Sequence, residues 1–264
     1  MPKAKILFLD IETAPIEAFV WGLFDQNVGL DMIITDWSIL SWCAKWLGSK
    51  DVYYQDVRNE KHVRNDKNIL KGIWKLLNEA DIIITQNGRS FDEKKLNTRF
   101  LLNGMQPPSK FKHLDTLQIA KSKFAFTSNK LEYMSKTVNV VFKKLDHKDF
   151  PGFKLWKECL AGNKKAWKDM EAYNKHDVLA LEELYLKFQP WDNAVNFSVY
   201  DEDDTTLRCN CGAADYVKDG HNYTATGKFQ RYRCKKCGSP AYDKAIKANN
   251  KLSLAKQKSL KAIK

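Results

Sequence analysis

The sequence predicts an α/β domain built on a mixed β-sheet, followed by a small cysteine-stapled module. Two observations carry the first part: three apolar segments of strand length come before any helical pattern, and helix then alternates with strand until only helices remain. A third observation carries the second part. Past Pro190 the composition changes, and four of the six cysteines fall within residues 209–237.

Residues 5–11, 39–47 and 51–57 read as strands, with Gly48-Ser49-Lys50 turning the second into the third. Residues 68–79 carry Ile69, Ile73, Leu76 and Leu77 on one helical stripe. The apolar strand 81–85 breaks at Asn87-Gly88, and the chain restarts as a helix over 91–102 that stops at Asn103-Gly104. Asp115, in His113-Leu114-Asp115-Thr116-Leu117, reads as a helix cap. Helices follow to about residue 188, the last of them from about 165. Trp37, Trp42 and Trp46 are expected in packing, and Cys43 and Cys159 as buried free thiols. The expected organisation is a first domain over 1–195, an acidic linker over 196–204, a cysteine module over 205–242 and a basic tail over 243–264.

Three segments carry chemistry. In Phe8-Leu9-Asp10-Ile11-Glu12-Thr13, Asp10 and Glu12 are two apart on a strand and therefore share a face. Two adjacent anions repel, so the arrangement is costly without a cation between them. In Asn87-Gly88-Arg89-Ser90-Phe91-Asp92, Asp92 falls in the first turn of a helix. In Tyr173-Asn174-Lys175-His176-Asp177, Tyr173 and Asp177 are i and i+4 on a helix and share its face. Each motif alone has a plainer reading: solvated carboxylates, a helix-start aspartate favoured by the macrodipole, a surface Tyr beside a surface Asp.

Taken in order, D-x-E, N-G-x-x-F-D and Y-x-x-x-D resemble the three exonuclease motifs of the DEDD superfamily, whose fold is RNase H-like. Tyr four residues before Asp177 matches the tyrosine subclass; the histidine subclass would need His at the position of Ala172. The second motif looks most like the proofreading exonuclease domains of B-family DNA polymerases, and the resemblance covers about residues 1–190. It implies that Asp10, Glu12, Asp92 and Asp177 hold two Mg²⁺ or Mn²⁺ ions, with Tyr173 orienting the attacking water. It also implies that Thr13, Asn87 and Phe91 contact the substrate. Phe19, Trp21 and Phe24 follow the first motif, where the superfamily often places a base-stacking wedge; core packing is the preferred reading of these three.

Composition suits a nucleic-acid enzyme. The formal net charge of +12 is concentrated: residues 205–264 hold +11 of it, leaving +1 for residues 1–204. No apolar run approaches the ~18 residues of a membrane span, and an intracellular, cytoplasmic protein is expected, with no membrane partner. The C-terminal cysteines lie in Cys209-Asn210-Cys211-Gly212 and Cys234-Lys235-Lys236-Cys237-Gly238, the pattern of one structural zinc site. The second half looks like transposase and transcription-factor zinc ribbons. The first knuckle departs from them, C-x-C standing where C-x-x-C is usual, so His221 is an alternative ligand to Cys209. Lys228, Arg231 and Arg233 alternate with aromatic residues as candidate nucleic-acid contacts.

The expected activity is a 3′-to-5′ exonuclease on DNA, preferring a single-stranded 3′ end, anchored by the ribbon and tail, and working with a polymerase or other replication or repair protein in trans. A 3′-to-5′ exoribonuclease and a DNA-binding recruitment factor with an inactive nuclease fold are the alternatives.

Overall fold

The computed structural model describes residues 4–138, 141–142, 149–200, 208–225 and 227–242. They divide into two compact units, one of Lys5–Lys187 and one that holds the chain from Phe188 onward. The acidic run at 201–204 and the basic tail 243–264 lie outside the described residues.

The larger unit is a five-stranded mixed sheet flanked by helices. Its strands are β1 (Ile6–Thr13), β4 (Ile39–Trp46), β5 (Val52–Asp56), β6 (Ile82–Thr85) and β7 (Lys112–Asp115), in the order β5-β4-β1-β6-β7. β1 pairs antiparallel with β4 and parallel with β6. The sequence reading missed β7, whose four residues begin with Lys and end in a helix cap and so show no strand alternation. It also missed β2 (Glu17–Ala18) and β3 (Ile33–Thr35), a two-stranded arm inserted between β1 and β4.

β1 is central, and its alternation assigns its two faces. Leu7, Leu9 and Ile11 enter one core with Leu40, Trp42 and Ala44 of β4. Helices α1 (Lys67–Glu79), α2 (Asp92–Leu102) and α5 (Lys154–Leu160) close that core through residues such as Ile73, Leu77, Leu96, Phe100 and Leu155. The alternate residues of β1 face the long helix α6 (Lys164–Phe188), with Phe8 edge-on to Tyr185 at 5.9 Å between ring centroids. Lys45 of β4 meets Glu182 of α6 at 2.5 Å, both nearly buried. Trp42 is buried and donates its indole N–H to Ile69 O, and Cys43 and Cys159 are buried free thiols.

Asp66, fully buried before α1, accepts from Ile39 N and from Nε and Nη2 of Arg99 on α2. It joins β4, α1 and α2, and removing one partner of such a pair costs about 3–5 kcal/mol because the other charge stays buried. Trp37 is half-buried under Lys95, whose Nζ lies 3.6 Å from its ring centroid. Core packing fails for Phe19, Trp21 and Phe24, which are 72%, 96% and 83% exposed. They lie on the arm, where two short strands supply no second layer to pack against.

In the C-terminal unit, β8 (Tyr216–Tyr223), β9 (Lys228–Cys234) and β10 (Pro240–Tyr242) form an antiparallel sheet in the order β10-β9-β8. The β8 register shifts between Lys218 and His221, where Gly220 takes φ +70°.

Candidate active site and cysteine centre

The two carboxylates of β1 emerge on the face that α6 covers, because they share parity with Phe8. Asp177 comes to them from α6, and carboxylate oxygens of Asp10, Glu12 and Asp177 all lie within 4.8 Å of one another. They meet where the end of the central strand faces α6. Asp92, the first residue of α2, is 3% exposed, and its Oδ1 accepts Ile11 N at 3.1 Å. It stands just outside the group of three, tied to the backbone between Asp10 and Glu12.

The loop that delivers Asp92 is shaped by its own residues. Asn87 takes φ +65°, and a Cβ on Gly88 would stand 2.2 Å from Thr85 Oγ1, so no side chain fits there. Asp115 caps helix α3 (Thr116–Lys123) through Leu117 N, as expected, and also accepts from Asn87 N and Arg89 N. One carboxylate thus fixes both the α3 start and the turn before Asp92.

Neutral donors reach the β1 carboxylates. Asn174 Nδ2 donates to Asp10 Oδ2 at 2.5 Å, and Trp156 Nε1 of α5 donates to Glu12 Oε2 at 3.2 Å. Sequence reasoning passed over both. Asn174 carried a signal, lying three residues before Asp177 and so on its helix face; Trp156 carried none.

Burial, and then repulsion from Asp92, Glu12 and Asp177, push Asp10 well above the usual carboxylate range, against the Asn174 hydrogen bond. Burial and Asp177 push Glu12 up to about 8. Burial pushes Asp92 to about 7, against backbone N–H groups that include Ile11 N. Tyr173 stands edge-on to Trp156 and hydrogen-bonds Asp177, and burial with the three nearby carboxylates pushes its phenol far up. This donor set, hard oxygen atoms crowded together, is what a hard divalent ion such as Mg²⁺ or Mn²⁺ takes. Of the expected substrate contacts, Thr13 is half-buried at the end of β1, where the register with β4 breaks. Asn87 is exposed on its loop, and Phe91 is 37% exposed at the start of α2.

In the C-terminal unit Cys209, Cys211, Cys234 and Cys237 converge, with ligand atoms within 4.8 Å of one another. Sγ separations are 3.6 Å for Cys209 and Cys237 and 3.7 Å for Cys211 and Cys234. A tetrahedron with Zn–S bonds of ~2.3 Å has edges of ~3.8 Å, and a disulfide at ~2.05 Å is excluded. The cluster fits a small zinc ribbon. The C-x-C knuckle does bring Cys209 into register, and His221 instead pairs with Gln230 across β8 and β9. Burial opposes ionisation of Cys234, but N–H groups of Cys237 and Lys236 pointing at its sulfur hold it below the ordinary thiol value. Arg231 Nε donates to Asp219 O and Arg233 donates to Asp219 Oδ2, so both arginines are partnered by Asp219; Lys228 lies 5.6 Å from the Tyr223 ring centroid.

A family model described as the RNase_H superfamily matches residues 39–189, and the chain belongs to that superfamily. This is a nuclease fold, which implies nucleic-acid binding. Among solved structures the chain is similar to the family B DNA polymerase from the hyperthermophilic archaeon Pyrobaculum calidifontis, with a TM-score of 0.51 and 12% identity over 85% of this chain. It spans 32% of that polymerase chain. No curated protein matches the chain at a significant level. Among the described residues no helix is long and apolar enough to cross a membrane.

Without metal, the raised carboxylates make the folded protein hold protons that the unfolded chain releases near pH 4. Because the folded state binds more protons between about pH 4 and the raised values near 7 and 8, stability falls as pH rises through that window. In EDTA the melting temperature should therefore drop from pH 5 to pH 8 more steeply than in Glu12→Gln, and added Mg²⁺ should restore it most at pH 8. Parallel melting curves for the two proteins would contradict the electrostatic picture.

Proposed function

We propose that the chain is a two-metal 3′-to-5′ exonuclease of the tyrosine subclass, acting on DNA with preference for a single-stranded 3′ end. The observation that carries this reading is the convergence of Asp10, Glu12 and Asp177 within 4.8 Å, with Asp92 hydrogen-bonded beside them. A retired site has no reason to keep mutually repelling anions half-buried.

Asp10, Glu12 and Asp177 would hold one ion, and Asp10 with Asp92 the second. Bound Mg²⁺ or Mn²⁺ supplies an activated water and neutralises charge on the phosphate and the leaving oxygen. Tyr173 keeps its proton at neutral pH, so it is not a base; its phenol would orient the attacking water by a hydrogen bond. Thr13, Asn87 and Phe91 would contact the terminal nucleotides, Phe91 by stacking. The cysteine unit would hold one structural Zn²⁺ and, with the basic tail, supply the sequence-independent grip through residues such as Lys228. A polymerase or other replication or repair protein would act with it in trans, in an intracellular, cytoplasmic setting.

Asp10→Ala, Asp92→Ala and Asp177→Ala should each abolish release of nucleotides from end-labelled single-stranded DNA in Mg²⁺ while leaving DNA binding intact. Tyr173→Phe should retain measurable activity. Robust cleavage by Asp10→Ala would sink the assignment, and faster turnover of RNA than DNA under the same conditions would move the reading to an exoribonuclease.

The charge asymmetry gives a separate test. Log K falls with log salt by about 0.9 per phosphate contacted on duplex DNA and about 0.7 on single strands. If half of the +11 of residues 205–264 engages phosphates, the full chain should show a salt slope steeper by about 4 to 5 than a chain ending at Tyr200. Equal slopes would remove the C-terminal region as the anchor.

A further inference from the structure

We propose that Asn174 and Trp156 are positioning residues that aim the two β1 carboxylates at their ions, an inference that rests on the nuclease reading above. An ionised carboxylate only accepts hydrogen bonds, and nothing in its own bonding fixes its rotation about the last side-chain torsion. Asn174 Nδ2 on Asp10 at 2.5 Å and Trp156 Nε1 on Glu12 at 3.2 Å each fix one such rotation. The two contacts come from different helices, α6 for Asp10 and α5 for Glu12.

The chemistry of the donors matters as much as their placement. Both are neutral. An amide or an indole N–H orients a carboxylate without cancelling the charge that must attract the cation, whereas a Lys or Arg at either place would compete with the ion for it. Each donor is itself held. Asn174 is fully buried, and its Oδ1 accepts from Ser41 Oγ of β4 at 3.2 Å, making a chain of contacts from β4 through α6 to β1. Because an ionised Asp10 that holds a cation offers only acceptors, the amide turns its nitrogen that way, and Ser41 donates to the oxygen. Trp156 stands edge-on to Tyr173 with centroids 6.1 Å apart and planes at 76°, so the ring beside the water-orienting phenol also directs the indole N–H at Glu12. Asn174 and Asp177, three residues apart, put an orienting group and an ion-holding group on one face of α6.

A purely structural role would leave metal affinity untouched, so the test reads affinity directly. Mn²⁺ binding is measured by electron paramagnetic resonance on the full chain for wild type, Asp10→Ala, Asn174→Ala and Trp156→Phe. The last keeps an aromatic ring beside Tyr173 and removes the N–H together with part of the indole. Partners of metal-binding groups typically contribute about 10- to 100-fold in affinity. Asn174→Ala and Trp156→Phe should weaken Mn²⁺ binding by about that factor, a loss that exceeds any change in melting temperature for Trp156→Phe. On a short oligonucleotide kcat should fall while KM changes little.

Wild-type Mn²⁺ affinity and kcat in both variants would overturn the proposal while leaving the nuclease reading in place, provided Asp10→Ala has lost the ion. Wild type that binds no Mn²⁺ in an Asp10-dependent way would overturn both. Should Asn174→Ala fail to fold, Trp156→Phe together with Ser41→Ala, which frees the amide without emptying its site, decides the matter on the same measurements.

Discussion

Mutual repulsion among the carboxylates of one small site is the constraint on which the rest of the larger unit depends. Left alone, Asp10, Glu12 and Asp177 would swing apart into water. They are kept within 4.8 Å by parts that cannot move independently: the central strand, the long helix above it and the α5 indole beside it. The near-buried Lys45 and Glu182 pair joins β4 to α6, and Asp66 with Arg99 joins the sheet to the helices behind it. Ordinary packing and ion pairing thus hold together a site whose own charges oppose assembly.

The cysteine unit meets a parallel constraint by different means. Three short strands bury too little to fold on apolar area alone. Four sulfurs converge within 4.8 Å of one another, a set that a structural Zn²⁺ would staple, and N–H groups aimed at Cys234 favour its thiolate. Asp219, displaced by the bulge at Gly220, gathers Arg231 and Arg233 on one side of the sheet.

Much of the site was legible because its signals are local. The i, i+2 parity of a strand put Asp10 and Glu12 on one face, the Asn87-Gly88 break set the start of α2 and so the place of Asp92, and i, i+4 spacing joined Tyr173 to Asp177. What escaped depends on the tertiary structure. Phe19, Trp21 and Phe24 have core composition, but only the topology reveals an arm with no second layer. Trp156 lies 144 residues from Glu12, and no spacing rule links them. β7 is short and charged at its start, so it becomes a strand only by pairing with β6. Cys209 was in doubt because knuckle spacing was read as a rule, whereas the fold requires only that the sulfurs converge.

The gathered carboxylates are proposed as a cation site. Crystals of the full chain grown with Mn²⁺ and measured at the manganese edge test it most directly. An anomalous peak is expected within bonding distance of oxygens of Asp10, Glu12 and Asp177, with Asn174 and Trp156 still donating to the first two. Saturating Mn²⁺ with no peak there, or the three carboxylates found apart and solvated, would contradict it.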